Sequence, residues 1–182
     1  MSWFHRSAQA PPLPAQVRAG LALPRGERVL AHAMLTNGVW VVATSSALML
    51  VDPVTGANAG PGTPRSRHLW HEVAEANWDP NERVVDVHWA LPLPPLRLLL
   101  DDYQTFLPEV LRERVMSTYV LSQRLVLQGK RGVTVAIRRH SVDGSLLSQA
   151  VADDGVDLER PQVADRVATL TRELAAQVGL AL

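Results

Sequence analysis

The chain of 182 residues contains no cysteine and only one lysine, Lys130, among its 18 basic residues. The absence of cysteine excludes disulfide bonds, thiolate nucleophiles and thiolate zinc sites. Acidic residues also number 18, so the net charge is zero and we expect no nucleic-acid partner. The sequence has no long apolar run and no signal-peptide pattern, so we expect a cytoplasmic protein that does not insert into a membrane.

Sequence motifs of catalysis are also missing. There is no GxSxG elbow, no P-loop, no GxGxxG turn and no DxD carboxylate pair. The adjacent pairs Asp101-Asp102 and Asp153-Asp154 lie at predicted strand ends, where neighbouring side chains point apart. We therefore predict a protein that is not an enzyme, with no catalytic residues and no cofactor.

Turn signals and alternating apolar residues predict a three-stranded meander near the N-terminus. Asn37-Gly38 is the strongest hairpin signal, because both residues tolerate positive φ. Ser45-Ser46 makes a second tight connection. The three predicted strands cover residues 26–35, 39–44 and 47–52.

The rest of the chain is predicted to add six strands and two helices. A Gly/Pro-rich loop covers 53–67, and a helical period appears at 106–117, with Thr105 as the cap. The C-terminal helix begins at Pro161 and ends at Gly179. The predicted strands are 68–79, 83–90, 95–102, 118–128, 133–140 and 146–153. The predicted buried faces are Phe106, Val110, Leu111 and Val115 on the first helix, and Val163, Val167, Leu170, Leu174 and Val178 on the second.

The segment HLWHE at 68–72 raises the question of a metal site. Zinc binding by HExxH needs a second histidine four residues after the first, and Glu75 stands there instead. In a strand, His68 and His71 point to opposite faces and cannot share one ion. We therefore predict no metal site. Trp70, Trp78 and Trp89 are interpreted as packing residues, with a stacking platform for a base or sugar as the alternative.

Arginines cluster on the predicted short helix and on the hairpin that follows it. If the two elements lie side by side, they form a basic patch for an anionic ligand or a protein partner. The alternative is pairing with nearby acidic residues, which is common on protein surfaces. The candidate patch consists of Arg112, Arg114, Arg124, Arg138 and Arg139.

The run GERVLAHAMLTNGVWVVATSSALMLVD, followed by RHLWHEVAEANWD, resembles the opening of bacterial pleckstrin-homology-like and GRAM-like domains. The similarity covers about residues 26–90, and the whole chain also resembles proteins of this length from high-GC bacteria. The resemblance implies a seven-stranded barrel with a capping helix, for which the C-terminal helix is the candidate. Lipid-binding members carry a basic cluster at the first hairpin loop. Thr36-Asn37-Gly38 has none here, which argues against lipid binding.

These observations predict an α+β, mainly β fold. We expect a curved antiparallel sheet or partly open barrel like that of pleckstrin-homology domains, with a short internal helix and a long C-terminal capping helix. Residues 1–25 are predicted to form an irregular arm, and 26–182 one elaborated domain, with 26–103 and 104–182 as the alternative sub-lobes. The predicted function is a binding or scaffolding domain for another protein or for self-association. The alternative is an enzyme or small-ligand carrier with a site in the sheet concavity.

Overall fold

The computed structural model describes residues 12–52, 61–101 and 105–181. Within these ranges the chain is mainly β, with ten strands in three antiparallel sheets, three helices and one 3-10 turn. The strands are β1 (Val29–Met34), β2 (Trp40–Thr44), β3 (Ala47–Val51), β4 (Pro64–Leu69), β5 (Val73–Asp79), β6 (Val84–Trp89), β7 (Leu96–Leu99), β8 (Tyr119–Gln128), β9 (Arg131–Arg139) and β10 (Leu146–Ala152). The helices are α1 (Ala15–Gly20), α2 (Leu107–Thr118) and α3 (Pro161–Gln177). The predicted fold class is confirmed, and the sheets do not close into a barrel.

The first seven strands form two sheets that share one apolar core. Their orders are β1-β2-β3-β4 and β5-β6-β7, and an isolated bridge between Leu35 and Leu100 connects them. Inward residues of both sheets, such as Val41 and Val87, are fully buried in the same cluster. The two sheets therefore pack against each other, because each has one apolar face to remove from water.

Helix α2 packs its apolar face against this first core, and its helical period predicts such a face. Leu107, Leu111 and Val115 all join the cluster of the first seven strands. The predicted cap at Thr105 is wrong by one residue, because the N-cap of α2 is Phe106 and makes no side-chain capping hydrogen bond. Thr105 lies just before it and accepts a hydrogen bond from the Leu107 N–H at 3.1 Å. The predicted burial of Phe106 is wrong, because this residue stands just before the first turn and its side chain is 79% exposed.

The segment predicted as one strand over 68–79 is two strands separated by a turn. Strand β4 ends at Leu69, the 3-10 turn Trp70–Glu72 redirects the chain, and β5 begins at Val73. A Glu72 carboxylate oxygen accepts the Leu69 N–H at 3.1 Å, which stabilises this turn. Strand β4 begins inside the predicted loop 53–67, of which 53–60 lie outside the described residues. Seven strands therefore precede α2, where six were predicted.

The last three strands form a separate sheet covered by α3. Its order is β10-β9-β8, and Val133, Val135 and Ile137 of β9 share an apolar cluster with Leu170 and Leu174 of α3. The prediction of an amphipathic C-terminal helix is confirmed. This helix covers the third sheet, whereas α2 packs on the first two. None of the helices in the described ranges is long and apolar enough to cross a bilayer.

The N-terminal region contains a short helix within the arm predicted to be irregular, of which residues 1–11 lie outside the described ranges. Val17 of α1 is buried against the outer face of the first sheet, in a cluster with Trp40 and Met49. A Cβ atom on Gly20 would lie 1.9 Å from the Gly62 carbonyl oxygen, so this contact requires glycine.

Glu27, which precedes β1, ties the chain to the β2–β3 turn. Its carboxylate accepts hydrogen bonds from Thr44 and from Ser46, and it forms an ion pair with Arg67 at 3.1 Å. Burial by itself raises the pKa of Glu27, but the bonds from Ser46 and Thr44 and the Arg67 charge outweigh it and leave the pKa below its ordinary value. The ionised form of Glu27 therefore stabilises the fold.

We predict that Glu27→Gln lowers the free energy of unfolding at pH 7 by about 1–3 kcal/mol. A lowered pKa stabilises the folded state above the unfolded-state value of about 4.3, and this contribution is lost as pH falls through the folded-state pKa. Denaturant unfolding of both proteins at several pH values should show the difference shrinking in acid. A difference that stays constant with pH would contradict the role assigned to the charge.

We also predict that Leu170→Ala destabilises the protein by about 2–5 kcal/mol, because it leaves a cavity between α3 and the third sheet. Glu173 is exposed on the same helix, and Glu173→Ala should change stability by less than about 0.5 kcal/mol. Denaturant unfolding measures both values. Equal effects of the two substitutions would mean that α3 does not pack as described.

Candidate functional site

A cavity of about 600 Å³ opens between β5–β6 and the face of the third sheet opposite to α3. We call the part of the chain up to α2 the first lobe and the part from β8 onward the second lobe. The cavity lies between these lobes. Its lining residues are Ala74, Glu75, His88, Met116, Tyr119, Ser122, Arg124, Thr134, Ala136, Arg138, Gln149, Val151, Ala152, Asp153 and Asp154.

The alternation of β9 explains how its residues reach the cavity. Successive side chains of a strand point to opposite faces, and Val133, Val135 and Ile137 face α3. Thr134, Ala136 and Arg138 therefore face the first lobe. Their partners in register on the two neighbouring strands point the same way: Arg124 lies opposite Thr134, and Ser122 and Gln149 lie opposite Ala136.

Arg138 joins the two lobes at the closed end of the cavity. Its side chain is 1% exposed, and all three guanidinium nitrogens donate hydrogen bonds. Nη1 donates to the Val73 carbonyl at 2.7 Å and Nη2 to the Trp70 carbonyl at 2.9 Å. Nε donates to the Thr118 hydroxyl at 2.9 Å. The buried cation is thus held by neutral oxygens of the first lobe and of the end of α2.

Two neighbours of Arg138 make the same kind of contact across the junction. The Tyr119 hydroxyl donates to the Ala74 carbonyl at 2.9 Å, and the Gln149 amide donates to the His71 carbonyl at 2.8 Å. The Arg138 guanidinium carbon also lies 4.1 Å from the centre of the Tyr119 ring. Side chains of the second lobe thus satisfy four backbone carbonyls between residues 70 and 74, which buried backbone groups require.

The electrostatics of the junction follow from its burial. Burial lowers the pKa of Arg138, although the nearby Tyr119 acts in the opposite direction. Burial raises the pKa of Tyr119, the Arg138 charge lowers it, and Glu75 raises it further. Tyr119 therefore stays neutral at pH 7 and donates its hydroxyl proton to the Ala74 carbonyl.

Arg124, the other arginine of the cavity, is paired with Asp153. It contacts both carboxylate oxygens of Asp153 and donates to the Lys130 carbonyl at 3.0 Å. The hydrogen bond from Arg124 and that from the Gly132 N–H lower the pKa of Asp153. The charge of Arg124 is therefore balanced, and both of its terminal nitrogens are occupied.

The five arginines of the predicted patch occupy different environments. Arg124 and Arg138 line the cavity, but each is engaged as described. Arg114 pairs with Glu113 at 2.6 Å, Arg139 donates to the Gly144 carbonyl at 3.2 Å, and Arg112 is exposed on α2. The structure thus brings two of the five together in one cavity and gives four of them partners within the chain.

Five other polar side chains of the cavity lining have no hydrogen-bond or ion-pair partner in the described ranges. They are the carboxylates of Glu75 and Asp154, the hydroxyls of Ser122 and Thr134, and the His88 ring. The two carboxylates carry negative charge at pH 7. The charges that the cavity offers to a bound molecule are therefore negative, whereas the sequence predicted a positively charged patch of arginines.

The two histidines of the HLWHE segment lie in different surroundings. His68 contacts Trp89, with 4.3 Å between ring centres, and its Nδ1 lies 3.6 Å from Glu72. His71 lies in the 3-10 turn, so the prediction that both belong to one strand is wrong, and its ring is 4.4 Å from that of His140. In the described ranges, no group of three or more potential ligand residues is placed to hold a metal ion.

The packing role predicted for the tryptophans is confirmed for two of the three. The Trp70 indole is 1% exposed and donates to the Thr44 carbonyl at 3.0 Å. Trp89 is 8% exposed and donates to the Pro94 carbonyl at 2.9 Å. Trp78 is 39% exposed and is not among the residues that line the cavity.

The cluster of charged residues in which Arg138 stands does not indicate that its side chain is buried. A usable signal was present, since Arg138 and Arg139 are adjacent in a strand and must point to opposite faces. Arg138 shares its face with Thr134 and Ala136, whereas Arg139 is exposed. What covers the Arg138 face cannot be read from the alternation, because it depends on how the two lobes pack.

We predict that Arg138→Met destabilises the protein by about 2–5 kcal/mol, because it leaves buried carbonyls without donors. The adjacent Arg139 is exposed, so Arg139→Met should cost less than about 0.5 kcal/mol. Thermal and denaturant unfolding of the two variants provide the comparison. If Arg138→Met is as stable as Arg139→Met, the junction does not depend on the guanidinium.

The comparisons with known proteins contribute no relative. No protein-family model matches this chain. Searches against curated proteins and against solved structures returned no match either. A proposal for the function must therefore rest on the cavity, its free polar groups and the junction between the lobes.

Proposed function

We propose that this protein is a non-enzymatic, cytoplasmic binding module that recognises an extended segment of another protein in the cavity between its lobes. The observation that carries this proposal is the cavity itself. Its volume of about 600 Å³ is in the range of ligand sites, and five polar side chains facing it have no partner within the described ranges.

The free polar groups support binding rather than catalysis. General acid–base or nucleophilic chemistry requires a base within hydrogen-bond distance of the group that it activates. In the described ranges, no hydrogen bond connects His88 to Ser122 or Thr134, two hydroxyls of the cavity lining. The groups are suited to accept and donate hydrogen bonds to a bound molecule.

The strand edges beside the cavity favour an extended polypeptide as that molecule. Within the described ranges, β8 pairs only with β9 and β5 only with β6, and both strands contribute lining residues. An unpaired strand edge presents backbone N–H and C=O groups to which an extended segment can add as a further strand. A partner could thus pair with β8 while its side chains enter the cavity.

The charge of the cavity favours a basic segment. Arg124 and Arg138 are engaged within the chain, whereas Glu75 and Asp154 have no hydrogen-bond or ion-pair partner within 12–52, 61–101 and 105–181. A lysine or arginine of the partner would find complementary charge there, and complementary charge directs recognition. We therefore favour a basic partner over the anionic ligand that the arginine cluster suggested.

We further propose that the first lobe is a pleckstrin-homology-like domain. The support is the order of its elements: a four-stranded and a three-stranded antiparallel sheet followed by helix α2, whose apolar face joins their shared core. In this proposal α2 is the capping helix. The second lobe is then an addition whose docking creates the cavity.

A small-ligand carrier is the second candidate. It is favoured by one observation, the convergence of uncharged polar groups such as Ser122, Thr134 and Gln149 on the same cavity. A compact polar molecule could bond to these groups without using the strand edges. Native mass spectrometry of the purified protein would then show an additional small mass.

We predict that a photo-crosslinking amino acid at Ser122 captures a protein partner in cells. The same amino acid at Gln123 is the matched control, because Gln123 is exposed on the same strand but lies opposite Val135, on the face turned toward α3. Adducts identified by mass spectrometry should form at position 122 and not at 123. Equal capture at both positions, or no protein adduct at 122, would contradict the proposal.

The charge preference is tested with a captured partner segment made as a synthetic peptide. Glu75→Lys should weaken its binding about tenfold or more, because it replaces attraction by repulsion. Glu159→Lys makes the same change at an exposed position outside the cavity lining and should leave the affinity unchanged. Equal effects in calorimetric titration would mean that Glu75 does not face the partner.

A further inference from the structure

The junction between the lobes contains a pair of histidines, one from each lobe. His71 lies in the 3-10 turn of the first lobe, and His140 directly follows β9 in the second lobe. Their ring centres are 4.4 Å apart, with 40° between the ring planes. His71 is only 8% exposed. We propose that this pair is a proton-sensitive latch, which holds the second lobe on the first when the His71 ring is neutral and releases it in acid.

The hydrogen bonds of His71 require the neutral ring. Its Nδ1 lies 3.4 Å from both the backbone nitrogen and the hydroxyl of Ser141, in the second lobe. The Ser141 N–H can only donate, so Nδ1 accepts and the single proton of the neutral ring lies on Nε2. Protonation of Nδ1 would place a donor against the Ser141 N–H, and this hydrogen bond between the lobes would be lost.

The charges around the pair differ for the two rings. Nδ1 of His140 lies 3.0 Å from the Asp143 carboxylate, so a proton on His140 has a counterion beside it. His71 faces His140 and Arg138, which oppose a positive charge, and Glu72 and Asp143, which favour one. The Glu72 carboxylate also accepts the Leu69 N–H and lies near His68. His71 is therefore the ring that cannot easily carry a charge in the docked state.

The direction of the pH effect follows from this environment. Burial lowers the pKa of His71, and the charges of His140 and Arg138 lower it further, against the opposing effects of Glu72 and Asp143. In the undocked state the ring is in water, with an ordinary pKa of about 6.5. Docking is therefore fully stable above about pH 6.5 and weakens as pH falls below it, by up to about tenfold per pH unit for one proton.

The latch acts at the same junction as Arg138 and Gln149. Gln149 donates to the His71 carbonyl, so movement of the 3-10 turn also disturbs this bond. Both Arg138 and Gln149 line the cavity, and separation of the lobes would change its shape. The latch concerns the docking of the lobes and does not rest on the proposed function, although it would regulate binding in the cavity.

Distance measurements between spin labels test the latch without any ligand. The chain contains no cysteine, so Asn81→Cys and Gln162→Cys introduce unique label sites at exposed positions, one in each lobe. At about pH 8 the labelled protein should show one interlobe distance, and between about pH 6.5 and pH 5 a second, longer distance should gain population. A single unchanged distance throughout this range would overturn the proposal.

The variant His71→Asn identifies the residue responsible. Asparagine keeps an acceptor oxygen near the position of Nδ1 but takes up no proton, so the longer distance should not appear in acid. The matched control is His32→Asn, because His32 lies on β1 beside Trp40, outside the cavity lining, and should leave the transition as in the unmodified protein. A transition that persists unchanged in His71→Asn would overturn the assignment.

His140→Asn provides a second criterion if His71→Asn does not dock at about pH 8. This substitution removes the ring that faces His71 and with it the positive charge that opposes protonation of His71. The pKa of His71 then differs less between the docked and undocked states, so fewer protons are taken up on undocking. The transition should therefore move to lower pH. A transition at the same pH as in the unmodified protein would contradict the role of the pair.

Discussion

Arg138 brings a positive charge into the junction between the two lobes and is held there by oxygens of Val73, Trp70 and Thr118. A buried cation is costly unless its donors are satisfied, and a buried carbonyl is costly unless it finds a donor. The second lobe thus supplies hydrogen-bond donors to the buried carbonyls of the first lobe, and these carbonyls supply acceptors to the buried guanidinium. The position of the second lobe, the cavity beside it and the contact between His71 and His140 all depend on this docking.

The 3-10 turn Trp70–Glu72 provides backbone acceptors for the docking of the second lobe. A continuous strand would direct its backbone groups toward neighbouring strands, whereas the turn leaves the carbonyls of Trp70 and His71 facing the second lobe. The carbonyls of Val73 and Ala74 follow at the start of β5 and accept from the same lobe. The same turn places the Trp70 ring in the first core, where its indole donates to Thr44. One short segment therefore connects β4 to β5, contributes to the core and forms the surface on which the second lobe rests.

The cavity is a consequence of incomplete contact between the lobes. Near Arg138 the third sheet lies against β5. Beyond Tyr119 its face is left open, and Ser122 and Thr134 have no hydrogen-bond partner among the residues that the structure describes. Arg124 and Arg138, which could have made this opening basic, are engaged within the chain, whereas Glu75 and Asp154 have no ion-pair partner in the described part of the chain. Internal pairing, rather than the overall composition, determines which charges a partner would meet.

The sequence by itself determined most of the secondary structure, because period-two and helical patterns depend on local alternation, but it missed α1 and the start of β4. It indicated nine of the ten strands, α2 and the buried face of α3, and it missed the turn at Trp70–Glu72, where the change of direction follows from packing. Only the tertiary structure decided that Arg138 is buried while Arg139 is exposed, and that His71 meets His140. Arg138 and His140 are 65 or more positions from their partners between residues 70 and 73, a separation over which no local pattern carries information.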